Sequence, residues 1–360
     1  MFRILVINPG STSTKISVYE DEKNAFTRSI RHEAETEKYP GLDEQLGFRE
    51  KMILDTLKEE KYELKDMDAI VGRGGLLHPV IGGTYLVNED MLSDLQKSRY
   101  GWHASNLGAI LADRFARPLG IPCYIADPVV VDEKIPEARY SGFPGIERLS
   151  IDHPLNQKAM AKRYAREHGK KYADMNFVIA HMGGGLSVNA HQRGRIVDGD
   201  NALDGDGPFS AERSGGLPLR GVLDMAFSGK YTRESIQATL VGHGGLYAYL
   251  GTKDGLEIAR RIDSGDEKAA EVIRAMALQI AKSIGACAAV LKGKVDAIII
   301  TGGLAYLEPL TAGIEELVEW IAPVVLFPGE DEMGALALAA REVLSGETEA
   351  LVYHCEPADK

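Results

Sequence analysis

The feature that most constrains this chain is a unit it contains more than once: an apolar strand, a glycine-rich turn, then a returning strand or a helix. In residues 4–19, ILVINPGSTSTKISVY, the run Ile4, Leu5, Val6, Ile7 enters Asn8-Pro9-Gly10-Ser11-Thr12-Ser13, and a second strand leaves through Lys15, Ile16, Ser17, Val18 and Tyr19. Residues 177–198 again read as a strand, a turn of Gly183, Gly184 and Gly185, and a returning strand. A third version, residues 296–307, ends its strand in Thr301-Gly302-Gly303 and passes into a helical pattern. The intervals between these units far exceed a solenoid repeat, so the pattern implies a duplicated domain and not an array. Two such turns facing each other across a cleft could hold a polyphosphate from both sides.

The first turn has the parts of a phosphate cradle. Backbone N–H groups and the hydroxyls of Ser11, Thr12, Ser13 and Thr14 donate to phosphate oxygens, and Lys15 supplies an ammonium. It is not a Walker A loop, because no Gly-Lys-Ser/Thr follows and the continuation alternates like a strand. The plainer alternative is a hairpin with a polar tip.

A length of 360 residues suits two domains better than one core. The excess of 53 acidic over 41 basic residues, a net charge of −12, argues against nucleic acid or an anionic membrane surface as partner. An anionic substrate must then be met by locally concentrated cations. Cys123, Cys287 and Cys355 are odd in number and widely spaced, which suits a reducing compartment and excludes a Cys-based zinc site. The N-terminal apolar run is short for a signal peptide and no stretch is expected to span a membrane, so a cytoplasmic location is expected.

In chain order, residues 42–61 read as an amphipathic helix with Leu42, Leu46, Ile53 and Leu57 on one stripe. Residues 68–75 form a strand ending in Arg73-Gly74-Gly75. Asn88 is expected to cap a helix through Leu95, and Ser105 another through Phe115, closed by Pro118 and Gly120. A strand at 122–127 ends on Asp127. The alternation of β and α segments indicates an α/β architecture. The Pro- and Gly-rich loop 135–146 looks like a domain boundary. Pro154 and Gly169 bracket a helix, Asp266 caps an Ala-rich one running to about Lys292, residues 324–327 are a last strand, and 332–344 a helix that returns over the first domain.

Several polar residues stand where strands meet turns. Arg73 is flanked by glycines and has no carboxylate near it in sequence. Arg213 lies in an irregular loop beside Glu212, which could pair with it. His103 and His153 each precede a helix, where capping or core roles compete with catalytic ones. Asp127 could hold an arginine or a magnesium-bound water. Glu330, Asp331 and Glu332 open a helix, where the helix dipole accounts for them, although three carboxylates also suit Mg²⁺.

Taken together, Asn8 to Lys15, Val71 to Gly75, Ser150 to Pro154, His181 to Ser187, Ala211 to Gly216, Gly244 to Gly251 and Phe327 to Met333 give the chain a resemblance. It resembles the butyrate kinases, in the acetate kinase branch of the acetate- and sugar-kinase/actin-like ATPase superfamily, over nearly its full length and in the family's order. The resemblance implies two duplicated actin-like (ribonuclease H-like) domains, 1–148 with 334–360 and 149–333, with ATP in the cleft between them. It implies Mg²⁺ at Asn8 and at one of Glu330, Asp331 and Glu332, a choice the motif leaves open. Ser13, Lys15, His181, Gly183, Gly184 and Gly185 would contact phosphates, and Asp254, Gly302, Gly303 and Leu304 would lie near the adenosine. Arg73 would hold the acyl carboxylate, with Gly75 and His103 beside it. Arg213 and His153 would meet the phosphoryl group in flight, and Asp127 would orient an arginine or the metal shell. The expected ligands are ATP or ADP, Mg²⁺ and a short-chain carboxylate, and the expected assembly a homodimer or higher homo-oligomer.

Two departures stand out. The acetate enzymes carry Phe-His-Gly-Thr-Ser-His where this chain has Ile151-Asp152-His153-Pro154-Leu155-Asn156. They carry Arg-Val-Val-His-Gly-Gly where this chain has Arg73 to His78, and glycine in place of valine beside Arg73 is expected to leave room for a longer acyl chain. A fatty-acid carboxylate is already ionised at neutral pH, so its phosphorylation requires no general base. The alternatives are a kinase for acetate, propionate or a branched acid, a sugar kinase, and an actin-like nucleotide-binding scaffold without an acceptor.

Overall fold

A computed structural model describes residues 1–32, 42–203 and 205–356. The chain divides into two units, Met1–Asp132 with Asp331–Lys360, and Glu133–Glu330. The Pro- and Gly-rich loop expected to mark the boundary, 135–146, falls inside the second unit.

The first unit opens with β1 (Arg3–Pro9), β2 (Ser13–Glu20) and β3 (Lys23–Arg31), followed by α1 (Leu42–Glu59) and β4 (Ala69–Arg73). Next come β5 (Thr84–Leu86), α2 (Glu89–Gln96), α3 (Asn106–Ala116) and β6 (Cys123–Ala126). Asn88 caps α2 as expected, accepting from the Met91 N–H at 3.0 Å. Ser105 does not cap α3: its own backbone is already helical and its hydroxyl turns to His103 Nδ1 at 2.8 Å.

The second unit contains α4 (Pro136–Arg139), α5 (Pro154–Glu167), β7 (Asn176–Met182), β8 (Leu186–Gln192) and β9 (Arg195–Gly199). It continues through α6 (Leu219–Phe227), α7 (Arg233–Val241), α8 (Gly245–Leu250), α9 (Gly255–Asp263) and α10 (Glu267–Val290). It ends with β10 (Ala297–Gly302), α11 (Glu308–Val318) and β11 (Val324–Pro328). The chain then returns to the first unit as α12 (Glu332–Leu344), which lies on β1, β4 and β6, and β12 (Leu351–Val352).

The sheets reveal the duplication. The first has the order β12-β5-β6-β4-β1-β2-β3, the second β11-β10-β7-β8-β9. In both, three antiparallel strands form a meander, and two further strands run parallel to the first of the three on its other side. Each meander slips register once between its second and third strands, at Val18/Tyr19 and at Ala190/His191. This is the duplicated α/β arrangement that the repeated turns implied, and the actin-like one that the resemblance implied. Ile4 to Ile7 and Phe177 to Ala180 are fully buried, because these central strands are covered on both faces.

Helix α10, capped by Asp266, is long and apolar enough to cross a membrane by length and composition, contrary to the expectation that no stretch would be. Its apolar stripe, from Ala269 through Ile273, Met276, Ile280 and Ile284, lies in the core with β8 and α11. Core packing therefore accounts for its composition.

Candidate active site

In the first unit the candidate side chains sit at the carboxyl ends of parallel neighbours β1, β4 and β6, where open α/β sheets bind ligands. Asn8, one residue before the end of β1, stands directly opposite Lys15 on β2, so the two share a face. Gly10 closes the turn between them by donating its N–H to the Ser13 carbonyl at 2.7 Å. Arg73 ends β4.

The structure separates the three carboxylates that the sequence left equivalent. Asp331 is committed to capping α12, accepting from the Gly334 N–H at 2.9 Å. Glu330 lies in the second unit, where its Oε1 is 3.2 Å from His181 Nε2. Glu332 reaches the ends of β1 and β4. Its Oε2 accepts from Asn8 Nδ2 at 2.8 Å and its Oε1 pairs with Arg73 Nη1. Arg73 thus has a carboxylate partner after all, supplied by the far end of the chain. Its charge and partial desolvation both act on His103: desolvation first, then Arg73, hold that imidazole below its ordinary value.

The expectation that Gly74 and Gly75 leave room beside Arg73 is overturned. A Cβ on Gly74 would lie 2.6 Å from the Pro128 Cβ, and one on Gly75 2.6 Å from the Asn106 Cα. Both glycines are filled against, and what they allow is close approach of the loop to Pro128 after β6 and to Asn106 of α3. Gly72 and Gly108 serve the same closeness: a Cβ on either would fall within 2.3 Å of backbone oxygen. Asn106 then holds the loop, accepting from the Leu76 N–H at 2.8 Å and donating to the Gly101 carbonyl at 3.0 Å. Asp127, at a strained φ of +37°, spends its Oδ1 on the Gly83 N–H at 2.8 Å. This bond ties the carboxylate to the segment that enters β5.

In the second unit the Gly183–Gly185 turn follows β7, with the Gly183 N–H donating to the Gly185 carbonyl at 2.9 Å. A Cβ on Gly185 would stand 2.3 Å from Arg213 Nη1 and 3.3 Å from His153 Cε1. Only glycine lets a guanidinium and an imidazole close on the turn together. A Cβ on Gly183 would stand 3.1 Å from Glu330 Oε1, so this turn also covers the His181–Glu330 contact.

Arg213 is positioned by a loop that is clamped rather than loose. Leu246 and Tyr247 at the start of α8 donate backbone N–H groups to the carbonyls of Ser210 and Ala211, each at 3.0 Å. A Cβ on Gly245 would lie 2.0 Å from the Ser210 carbonyl oxygen, which explains the Gly244-Gly245 pair. Glu212 does not pair with Arg213; it pairs with Lys253, while Arg213 Nη1 donates to the Ala202 carbonyl.

His153 heads α5 without capping it; its ring stacks on His181 with centroids 4.0 Å apart. A chain of hydrogen bonds runs away from it through buried groups. His153 Nδ1 meets Ser187 Oγ at 3.0 Å, Gln157 Nε2 donates to the same oxygen at 2.8 Å, and Gln157 Oε1 faces His191 Nε2 at 2.8 Å. His191 Nδ1 in turn meets the Tyr172 hydroxyl at 2.7 Å. Burial holds His191 well below its ordinary value, so it is neutral and donates through Nε2 alone. Ser187 Oγ thus stands between Gln157 Nε2 and His153 Nδ1, which fixes the orientation of the His153 ring.

Asp254 caps α9 through the Leu256 and Glu257 N–H groups. The neighbouring Gly255 lies close to Leu304 and Leu307, so the two segments expected near an adenosine do meet. Gly302, at φ +91°, sits against the Met182 backbone, joining the third turn to the end of β7. Sequence reasoning missed Ser187, Gln157, His191, Asn106 and Ser210. The first four could have been suspected only as polar residues on otherwise apolar faces.

Comparison with known proteins follows the same lines. The Acetokinase family matches residues 137–307. Butyrate kinase 1 of Clostridium acetobutylicum is 51% identical over 354 residues, spanning 98% of this chain and 100% of that protein. A probable butyrate kinase of Listeria innocua serovar 6a is 51% identical over 353 residues, spanning 98% of this chain and 99% of the relative. Among solved structures, an acetate kinase of Porphyromonas gingivalis is similar with a TM-score of 0.77 at 18% identity, covering 97% of this chain and 100% of its own. A propionate kinase from Francisella tularensis subsp. tularensis gives 0.72 at 18% identity, covering 94% and 99%. At that identity the structural likeness is one of fold.

Proposed function

Because this chain belongs to the butyrate kinases of the acetokinase family, ATP-dependent phosphotransferases with a carboxyl acceptor, we propose that it transfers the γ-phosphoryl group of ATP reversibly to butyrate, giving butanoyl phosphate and ADP. The observation that carries the reading is the closure of His153 and Arg213 on the Gly185 turn, 3.3 Å and 2.3 Å from where a side chain would begin. Such a pair suits a phosphoryl group whose equatorial oxygens carry the charge of the transition state.

A carboxylate oxygen attacks the γ-phosphorus, the new O–P bond forms as the bond to the ADP oxygen breaks, and no proton changes hands. The acid needs a cation to hold it. Arg73, whose fork already pairs with Glu332, would exchange that carboxylate for the substrate's. His153, held at Nδ1 by Ser187, would donate through Nε2 to the transferring group, and Arg213 would neutralise it. Ser13, Lys15 and the Gly183–Gly185 turn contact phosphates, and Asp254 with Gly302, Gly303 and Leu304 lies near the adenosine.

Magnesium fits the donors present. Asn8 and Glu332 offer hard oxygen ligands, and among the described residues no group of three or more His, Cys, Asp or Glu forms a metal cage. That suits an ion that takes its remaining ligands from phosphate and water. When bound, it would neutralise charge on the leaving phosphates. We also place the enzyme in the cytoplasm as a homo-oligomer. Leu219, Leu223 and Phe227 of α6 are 80%, 56% and 85% exposed, an apolar face that a second copy would cover.

The test is an acyl panel, C2 to C5 with branched acids, given Mg-ATP and trapped as hydroxamates. Butyrate is expected to give the highest kcat/KM. Acetate or propionate ahead of butyrate would overturn the choice of substrate, and no acyl phosphate from any acid would overturn the activity.

A further inference from the structure

Arg49 of α1 is 1% exposed, one of the largest fully buried side chains. Its guanidinium lies directly behind the Gly10–Thr14 turn. Nη2 donates to the Gly10 carbonyl at 3.0 Å, and Nη1 donates to Thr14 Oγ1 at 2.5 Å and to His32 Nε2 at 3.1 Å. Every one of these acceptors is neutral, and Nε makes no hydrogen bond. Among the described residues no carboxylate pairs with it. Burial alone lowers its pKa, to about 10, so at neutral pH it keeps its charge.

An uncompensated buried cation is expensive, and apolar replacement of such a group is often neutral or stabilising. A charge kept there calls for a counter-charge that arrives from outside. The peptide geometry says where. In a trans peptide the Gly10 carbonyl and the Ser11 N–H point in opposite directions. By fixing the carbonyl inward, Arg49 aims the Ser11 N–H outward, toward an anion on the exposed face of the turn.

We propose that Arg49 is the internal counter-charge of this turn: it orients the Gly10–Ser11 peptide for anion binding, and the phosphates of a bound nucleoside di- or triphosphate complete its charge balance. This rests on the reading that the turn holds nucleotide phosphate. Arg49 touches no reacting atom, so it is a positioning residue.

The experiment measures binding of adenosine, AMP, ADP and ATP by calorimetry, with melting of the ligand-free protein alongside. Wild-type affinity is expected to rise with phosphate number; if it does not, the nucleotide reading fails before Arg49 is questioned. Arg49→Met is expected to lose roughly 10- to 100-fold in ATP affinity, the size of a charge-assisted contact. Adenosine affinity should be unchanged, and the ligand-free protein should melt no lower than wild type. Equal losses for adenosine and ATP, or no loss for ATP, would overturn the proposal. Should Arg49→Met fail to fold, Arg49→Lys decides: it keeps the charge and should retain most of the preference for ATP over adenosine, and a folded Arg49→Lys without that preference refutes the idea. Glu33, Glu35 and Glu37 lie outside the described residues, so a variant with all three changed to Gln completes the set. It is expected to keep the wild-type preference. If it loses the preference and adding Arg49→Met costs nothing more, the counter-charge comes from the chain and the proposal falls.

Discussion

The two units share a strand order, a meander and even the place where the meander slips, yet they equip the same turn differently. After β1 the turn is rich in hydroxyls and backed by the buried Arg49 guanidinium; after β7 it is bare glycine, approached by Arg213 and by His153, whose ring stacks on His181. Duplication explains where the turns are. It does not explain what they do, which depends on whether side chains or backbone occupy the tip. Glycine in the second turn yields its space to Arg213 and His153 from elsewhere in the unit, whereas the first turn offers its own hydroxyls and backbone N–H groups.

The largest expected effect separates the two arginines. Arg213→Ala should lower kcat on the order of 10²- to 10³-fold, as for a lost electrostatic stabiliser, with little change in KM for the acid. Arg73→Ala should instead raise KM for the acid roughly 10- to 100-fold. Steady-state kinetics in both substrates distinguishes them. If both variants moved kcat alone, the division between a binding unit and a transfer unit would be broken.

A smaller effect tests the glycine argument directly. Gly185→Ala adds one methyl group 2.3 Å from Arg213 Nη1, so the guanidinium must move while its charge remains. Misplacement by about an ångström should cost roughly 10- to 100-fold in kcat. Nucleotide affinity should change less than kcat does. An alanine variant with full turnover would show that Arg213 does not work from this position.

Much of this arrangement was legible in the sequence. Both hairpins declared themselves through apolar alternation broken by Gly-rich turns, and the caps at Asn88 and Asp266 follow from short-range chemistry that a sequence carries whole. Contacts across long separations were not legible. Glu332 could be told from Glu330 and Asp331 only by folding, because its partners Asn8 and Arg73 lie hundreds of residues away. The room beside Arg73 was misread because a glycine's missing side chain marks either a void or a close neighbour, and sequence cannot say which; here Pro128 and Asn106 are the neighbours. Arg49 left a signal that went unread. The α1 stripe of Leu46, Ile53 and Leu57 has a gap at the buried position between Leu46 and Ile53, and an arginine fills it.

The smallest difference is one of stability. The first unit buries a guanidinium that does not titrate between pH 5 and 8, but the second buries a carboxyl that does. Asp152, 5% exposed beside His153, is pushed up to about 7, chiefly by burial, against the pull of Asn189, Lys134 and Lys158. From the ordinary value of 3.8 up to about 7, the folded state holds a proton that the unfolded chain releases. Its contribution to stability is therefore fully present below 3.8 and is lost as pH rises through 7. Asn at this position cannot ionise, so Asp152→Asn should gain on wild type as pH rises from 5 to 8, by no more than about 1.4 kcal/mol for each pH unit. Asp200, also raised to about 6 by burial, titrates in both proteins and cancels from the difference. Melting temperatures of the ligand-free proteins at pH 5, 6, 7 and 8 test this. Parallel curves for Asp152→Asn and wild type would mean that the second unit pays nothing for its buried carboxyl, and that the two halves differ in chemistry without differing in how they hold charge.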